Sequence, residues 1–230
     1  MSGRTIVVVG ANRGIGLEFV RQYLAAGERV VAACRDPSAA TDLSALAVAG
    51  ALVVHPCDVA DEASVAGFAK AVGDAPIDIL VNNAGVDGRA AATFDALDYA
   101  AFVRCLNVNT VGPVRTIAAL RANLRRSDGA RVANISSNLG GIAEAGGGHY
   151  AYRASKAALN MLTKAIAEDF RGDDVIVAAF HPGWVKTDMG GPHALIEAEE
   201  SVSGMRAAID RLEPGDSGGF FRYTGHQLAY

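Results

Sequence analysis

Apolar residues in this chain fall into short β-branched blocks, separated by longer stretches in which they recur every three or four positions. The blocks at about 5–9, 29–34, 51–55, 77–82, 130–136, 175–181 and 218–223 predict strands. Several are apolar at consecutive positions, as expected of strands covered on both faces. Helical spacing fills the gaps near 14–26, 61–72, 97–124, 152–171 and 193–212. Strand and helix in alternation predict an α/β fold: a Rossmann-type, doubly wound parallel sheet of about seven strands with helices on both faces. No linker, repeat or low-complexity segment interrupts residues 1–230, so one domain is expected, with half of its residues apolar and able to form a sizeable core.

Polar residues that could do chemistry cluster where the predicted strands end. The first strand runs straight into Gly10-Ala-Asn12-Arg13-Gly14-Ile15-Gly16 and then a helix. Glycines let the backbone approach a pyrophosphate, and free N–H groups at a helix start point at it. The spacing is G-x-x-x-G-x-G, not the dinucleotide fingerprint G-x-G-x-x-G. Asn82-Asn83-Ala84-Gly85 closes the fourth strand and Ser136-Ser137 the fifth, at the sheet edge where open α/β folds bind ligands. Tyr152 and Lys156 stand four apart in an alanine-rich helical run, and so share one face. A free phenol keeps its proton to about pH 10. A neighbouring ammonium favours the phenolate, which predicts a lowered Tyr152 pKa and a proton donor usable near neutrality. Asn109 precedes Pro113 by one turn, where the proline removes a helical bond and bends the chain.

Taken together and in order, Gly10-x-x-x-Gly14-x-Gly16, Asp58, Asn82-Asn83-Ala84-Gly85, Asn109, Ser137, Tyr152-x-x-x-Lys156 and Pro182-Gly183 resemble the short-chain dehydrogenase/reductase family over Thr5 to about Tyr223. The run from Ala151 to Asn160, the run from His181 to Gly191 and the closing SGGFFRYTGHQLAY are most similar to the C-factor and sniffer-type carbonyl reductase branch. Two departures stand out. Val9 replaces the usual threonine, and Ser137 lies further upstream of Tyr152 than is usual, with Ser136 beside it as the other choice.

The resemblance implies NAD(P)-dependent interconversion of alcohols and carbonyls. It casts Tyr152 as proton donor, Ser137 as a hydrogen-bond donor to the substrate oxygen, Lys156 as the partner of Tyr152 and of the nicotinamide ribose, and Asn109 as holder of a relay water. It lays the cofactor along Gly10, Asn12, Arg13, Gly14, Ile15, Gly16, Cys34, Arg35, Asp58, Val59, Asn83, Ala84, Gly85, Tyr152, Lys156, Pro182, Gly183, Val185 and Thr187. Asp58 is expected to face the adenine amine, and Thr187 the carboxamide. The helices at 97–124 and 152–171 pair with their copies in the family, implying a homodimer or homotetramer. A signalling or sensor protein that binds NAD(P) with little turnover is the alternative within the same branch. An epimerase or dehydratase on the same fold is another, although such enzymes often lack one of the four catalytic residues.

Cofactor choice is read at the end of the second strand. An NAD enzyme of this family needs a carboxylate there for the ribose 2′-hydroxyl. Cys34 is neutral, and Arg35 and Arg13 are cations suited to a 2′-phosphate. Asp36 stands one place later beside Pro37 and is read as opening the next turn. NADP(H) is therefore expected over NAD(H).

The net charge of −4 gives no basic footprint for nucleic acid. No apolar run reaches membrane-spanning length, and the start enters a strand with no cleavable signal pattern. Cys34, Cys57 and Cys105 share no metal-ligand spacing, so no metal is expected and the thiols are read as reduced, in a cytoplasmic protein acting on a small molecule. Trp184 is either a pocket wall or plain packing, and His149 and His181 are read as structural. Arg121, Arg125 and Arg126 are assigned to a helix end. Gly146–Gly148 is read as a substrate-side loop. The loops 86–96 and 188–200 border the substrate but carry no motif that names it.

Overall fold

The computed structural model describes residues 3–47, 50–88, 94–143 and 145–230. Eight strands form one sheet: β1 Thr5–Val9, β2 Arg29–Cys34, β3 Leu52–Pro56, β4 Ile79–Asn82, β5 Ala130–Ile135, β6 Val175–His181, β7 Phe220–Arg222 and β8 Gln227–Leu228. Their order is β3-β2-β1-β4-β5-β6-β7-β8. β1 to β7 run parallel, and the strand order reverses between β1 and β4. That reversal opens a crevice at the carboxyl ends of these two strands.

Eight α-helices are described: α1 Gly14–Ala25, α2 Thr41–Ser44, α3 Glu62–Val72, α4 Tyr99–Leu106, α5 Gly112–Ala119, α6 Arg121–Leu124, α7 Tyr150–Asp169 and α8 Ala198–Asp210. Ile6 and Val8 of β1 pack with Phe19, Val20, Phe180 and Met205 under α1 and α8. Val7 and Val9 pack on the opposite face with Phe68, Leu80, Ile117 and Val177 under α3, α5 and α7. Successive residues of a strand point to opposite faces, so burial on both sides accounts for the unbroken apolar runs. Truncating an aromatic core residue such as Phe180, which is fully buried, costs about 3–5 kcal/mol.

Three parts of the expected layout are corrected. The helix expected at 97–124 is broken. Asn107–Val111 forms a wider turn in which the Gly112 N–H reaches back to the Asn107 carbonyl, and Pro113 then stands in the first turn of α5. The helix expected from 193 starts at Ala198, because Val185 and Ile196 bridge as extended chain and Lys186 N–H donates to the Ile196 carbonyl at 2.9 Å. Lastly, β8 is an eighth strand, antiparallel to β7 and only two residues long. A turn at Gly225 with φ +85° returns the chain, and Tyr230 then stacks on Phe220 with ring centroids 5.8 Å apart. β8 thereby covers the edge of β7.

Candidate active site

The glycine turn after β1 is tied down by backbone groups of its neighbours. Gly10 and Ala11 N–H groups donate to the Ala33 carbonyl at 2.8 and 3.0 Å. Asn83 and Ala84 N–H groups donate to the Val9 carbonyl, and Asn83 Nδ2 donates to the Gly10 carbonyl at 2.8 Å. These bonds hold the turn although Val9 carries no hydroxyl. A Cβ on Gly10 would lie 2.6 Å from the Ala84 N, and one on Gly16 would lie 2.0 Å from the Gly10 carbonyl oxygen. Both positions therefore demand glycine.

At the start of α1, Gly14 adopts φ +53°, no side chain caps the helix and no acid stands in its first turn. The first N–H groups and the positive end of the helix are thus left for an anion. A pyrophosphate fits this cradle.

At the adenosine end, Cys34 is buried and its thiol pKa is raised by that burial. Arg35 is exposed and makes no ion pair among the described residues. Asp36 turns back to accept from the Ser38 N–H at 2.9 Å and its hydroxyl at 2.6 Å, capping the short turn Pro37–Ala39. That contact lowers its carboxyl pKa and is the turn-opening role expected of it. Asp58 accepts from the Ala60 N–H at 2.9 Å, and the Val59 carbonyl accepts from Arg115 at 3.0 Å. Arg13 does not stand free beside Arg35. It pairs with Asp188 at 2.7 Å.

The residues expected to act on the substrate meet at the ends of β4 and β5 and the first turns of α7. Ser136 and Ser137 part company, as adjacent residues at a strand end do. The Ser136 hydroxyl is buried and donates to Asn160 Oδ1 at 2.6 Å. Ser137 accepts from the Leu139 N–H at 3.1 Å, and its hydroxyl lies close enough to the Tyr152 phenol to shift its titration. Ser137 is therefore the serine at the site.

Lys156 is 5 % exposed, and its Nζ donates to the Ile135 carbonyl at 2.7 Å and lies 5.6 Å from the Tyr152 ring centre. Asn109 is fully buried, and its side chain binds both the N–H and the carbonyl of Val86, each at 2.8 Å. A Cβ on Gly85 would lie 3.4 Å from Asn109 Oδ1 and 4.0 Å from Lys156 Nζ, which brings the three elements together.

The expected lowering of the Tyr152 pKa is overturned for the protein alone. Burial pushes the phenol up to about 12, with the Ser137 hydroxyl opposing, while burial pushes Lys156 down to about 8. Desolvation is the largest cause for both groups, since burial disfavours the phenolate and the ammonium alike.

Gly140, Thr116 and Thr163 carry no signal in the sequence that points to the site. Gly140 ends a short turn that packs on α7, where a Cβ would lie 2.7 Å from the Lys156 carbonyl carbon and displace Ser137 from the phenol. A buried chain of side chains lies beneath the site: Thr116 Oγ1 donates to Asn82 Oδ1 at 2.6 Å, Asn82 Nδ2 to Asn134 Oδ1 at 2.9 Å, and Asn134 Nδ2 to Thr163 Oγ1 at 3.0 Å. The two asparagines face each other across β4 and β5 in register, which locks the strand ends.

After β6, Gly183 with φ +85° turns the chain, and the Ser201 hydroxyl donates to the Pro182 carbonyl at 2.6 Å. Val185 is buried, and Thr187 accepts from the Gly190 N–H at 3.1 Å while its methyl faces Gly14. Trp184 is half exposed, and its indole N–H donates to the Gly190 carbonyl at 2.9 Å. Arg121 and Arg125 pair with Asp173, and Arg126 with Asp74.

A family profile for the short chain dehydrogenases matches residues 4–195. The chain belongs to the short-chain dehydrogenase/reductase family. It is 44 % identical over 164 residues to the C-signal protein of Myxococcus xanthus, covering 71 % of this chain and 98 % of that one. It is 37 % identical over 233 residues to a 1-hydroxy-2-glutathionyl-2-methyl-3-butene dehydrogenase of a Rhodococcus strain, covering 98 % and 99 %. Its fold is similar to that of an NADPH-bound carbonyl reductase from chicken fatty liver, with a TM-score of 0.93, 36 % identity and complete cover of both chains. The family and branch expected from the motifs are thus the ones found. Among the described residues no helix is long and apolar enough to cross a membrane.

Proposed function

We propose that this short-chain dehydrogenase/reductase is an NADPH-dependent carbonyl reductase that turns a ketone, aldehyde or quinone into an alcohol. The observation that carries this reading is the meeting of Ser137, Tyr152, Lys156 and Asn109 on the sheet edge that also carries the glycine turn and the uncapped start of α1. When bound, the nicotinamide supplies the hydride. Tyr152 supplies the proton, and its raised pKa keeps that proton in place at neutral pH, as a donor for reduction requires.

Ser137 already accepts from Leu139, and its contact with Asn138 Oδ1 is long at 3.4 Å. With substrate bound, its hydroxyl proton turns from the Tyr152 phenol and Asn138 to the substrate oxygen, a bond worth about 1–3 kcal/mol when charge develops there. Lys156, charged below about pH 8, lies behind the phenol and answers the negative charge left on it. Asn109 continues the proton path towards solvent.

Preference for NADPH rests on neutral Cys34, exposed Arg35 and the cation Arg13, and the NADPH-bound carbonyl reductase of the same fold supports it. The protein is proposed to work in the cytoplasm as a homodimer or homotetramer. Val103 on α4, Val111 on the wide turn and Met161 on α7 are 65 %, 41 % and 68 % exposed, an apolar set that a second copy would cover.

Likeness to the C-signal protein favours a second reading, a signalling protein that binds the cofactor with little turnover. The complete four-residue set argues against it, because binding alone does not need a proton donor. Loss of NADPH absorbance with a panel of ketones, aldehydes and quinones tests the two. Turnover with kcat/KM for NADPH about 10-fold or more above that for NADH supports the reductase. Tight NADPH binding with no turnover supports the signalling protein.

A further inference from the structure

Arg13 stands at the N-cap of α1 with its Nη1 2.7 Å from Asp188 Oδ2. Asp188 does not hang on a free strand of chain. Gly190 N–H donates to Thr187 Oγ1 at 3.1 Å, Gly191 N–H to the Thr187 carbonyl at 2.8 Å, and the Trp184 indole to the Gly190 carbonyl at 2.9 Å. The loop therefore holds its own shape. It also rests on the glycine turn at a second point, since a Cβ on Gly14 would lie 3.2 Å from Thr187 Cγ2. Both side chains of the ion pair remain largely open to solvent, 65 % and 75 % exposed, so an incoming anion can reach the guanidinium.

We propose that Asp188 is a cofactor-selecting residue: its carboxylate competes with the adenosine 2′-phosphate for the Arg13 guanidinium. This rests on the reading of Arg13 given under the proposed function. A phosphate dianion carries more charge than a carboxylate and takes both arms of the guanidinium, so it wins the exchange. The exchange still costs the Arg13–Asp188 attraction and leaves Asp188 near the helix start, where negative charge of the cofactor is drawn. A cofactor with a 2′-hydroxyl leaves the pair in place and meets no such cost. Asp188 thus narrows the gap between NADP(H) and NAD(H), and phosphate binding frees one of the two ties between the loop 185–191 and the glycine turn.

The full chain is titrated with NADP⁺, NAD⁺ and 2′,5′-ADP, following emission of Trp184, the single tryptophan, with calorimetry as an independent readout of Kd. Asp188→Asn is expected to tighten NADP⁺ and 2′,5′-ADP about two- to fivefold, the size of an exposed ion pair, and to leave NAD⁺ unchanged. The same substitution on an Arg13→Gln background is expected to do nothing. The proposal is overturned if Asp188→Asn leaves NADP⁺ affinity unchanged, tightens NAD⁺ equally, or acts as strongly without Arg13. Arg13→Gln alone separates this from the underlying reading. Unchanged NADP⁺ affinity there overturns the role of Arg13 and the competition with it, whereas weakened binding there with an inert Asp188→Asn overturns the competition only.

Discussion

The side chain of Asn109 brackets Val86, accepting from its N–H at 2.8 Å and donating to its carbonyl at 2.8 Å. Both ends of the amide are therefore engaged by Val86. Pro113 has no N–H to offer the Asn109 carbonyl, and the wide turn at 107–111 is where the helix gives up its regular bonds. The asparagine thus orients the loop after β4, and the proline four places on removes the N–H that a regular helix would offer its carbonyl.

Asn109→Leu should leave the partly buried Val86 N–H without its partner and its carbonyl with only the weak Cys105 thiol contact at 3.7 Å. A stability loss of about 1–3 kcal/mol is expected by urea unfolding, together with reduced turnover. A loss below about 0.5 kcal/mol would mean that the bracket is not needed to hold the loop.

The two serines give a paired test. Ser137→Ala should reduce kcat about 10²-fold while changing stability little, as loss of one transition-state donor does. Ser136→Ala should do the opposite, costing about 1 kcal/mol of stability through the lost bond to Asn160 and leaving kcat nearly intact. Urea unfolding and steady-state kinetics on both variants check the assignment, and reversed effects would exchange the two roles.

His181 is 8 % exposed, and its Nδ1 has no partner among the described residues. Burial and the Arg222 charge push its pKa down to about 4 from a usual 6.5. The unfolded chain then binds a proton that the folded one refuses. The stability this residue contributes is complete above about pH 6.5 and is lost as pH falls through about 4, up to about 3 kcal/mol in all. Denaturation between pH 7 and pH 4 should show a shallower fall for His181→Gln than for the natural sequence. Equal slopes would assign the acid sensitivity elsewhere.

Assembly is tested at the exposed apolar set on α4 and α7. Light scattering should give at least twice the chain mass, and Val103→Glu or Met161→Glu should shift it towards 23.7 kDa. A natural protein already at 23.7 kDa at working concentration would remove the dimer.

Much of this was legible in the chain itself. Consecutive apolar residues such as Val7, Val8 and Val9 announce a strand buried on both faces, and the glycines at 10, 14 and 16 announce the cradle. β8 was not legible, because two residues carry no periodicity and its place depends on the Gly225 turn and the Tyr230–Phe220 stack. The break at 107–111 was only half legible. Pro113 marks a bend, but the wider turn before it depends on the packing that buries Asn109 and Thr110. The direction of the Tyr152 pKa shift is not legible, because spacing reports a neighbouring charge and says nothing of burial. Asp188 carries no signal of its role, because its partner lies 175 residues away in sequence. The substrate loop expected at 86–96 falls partly on 89–93, outside the described residues.

Tyr152→Phe is the sharpest test of whether Tyr152 gives its proton to a carbonyl oxygen. The substitution removes one hydroxyl and leaves the glycine turn, Arg13 and Lys156 in place. A fall in kcat on the best carbonyl substrate of about 10²-fold or more is expected, with NADPH affinity nearly unchanged. A Tyr152→Phe protein that keeps more than about half of the natural kcat would contradict it, since general acid catalysis contributes far more than twofold.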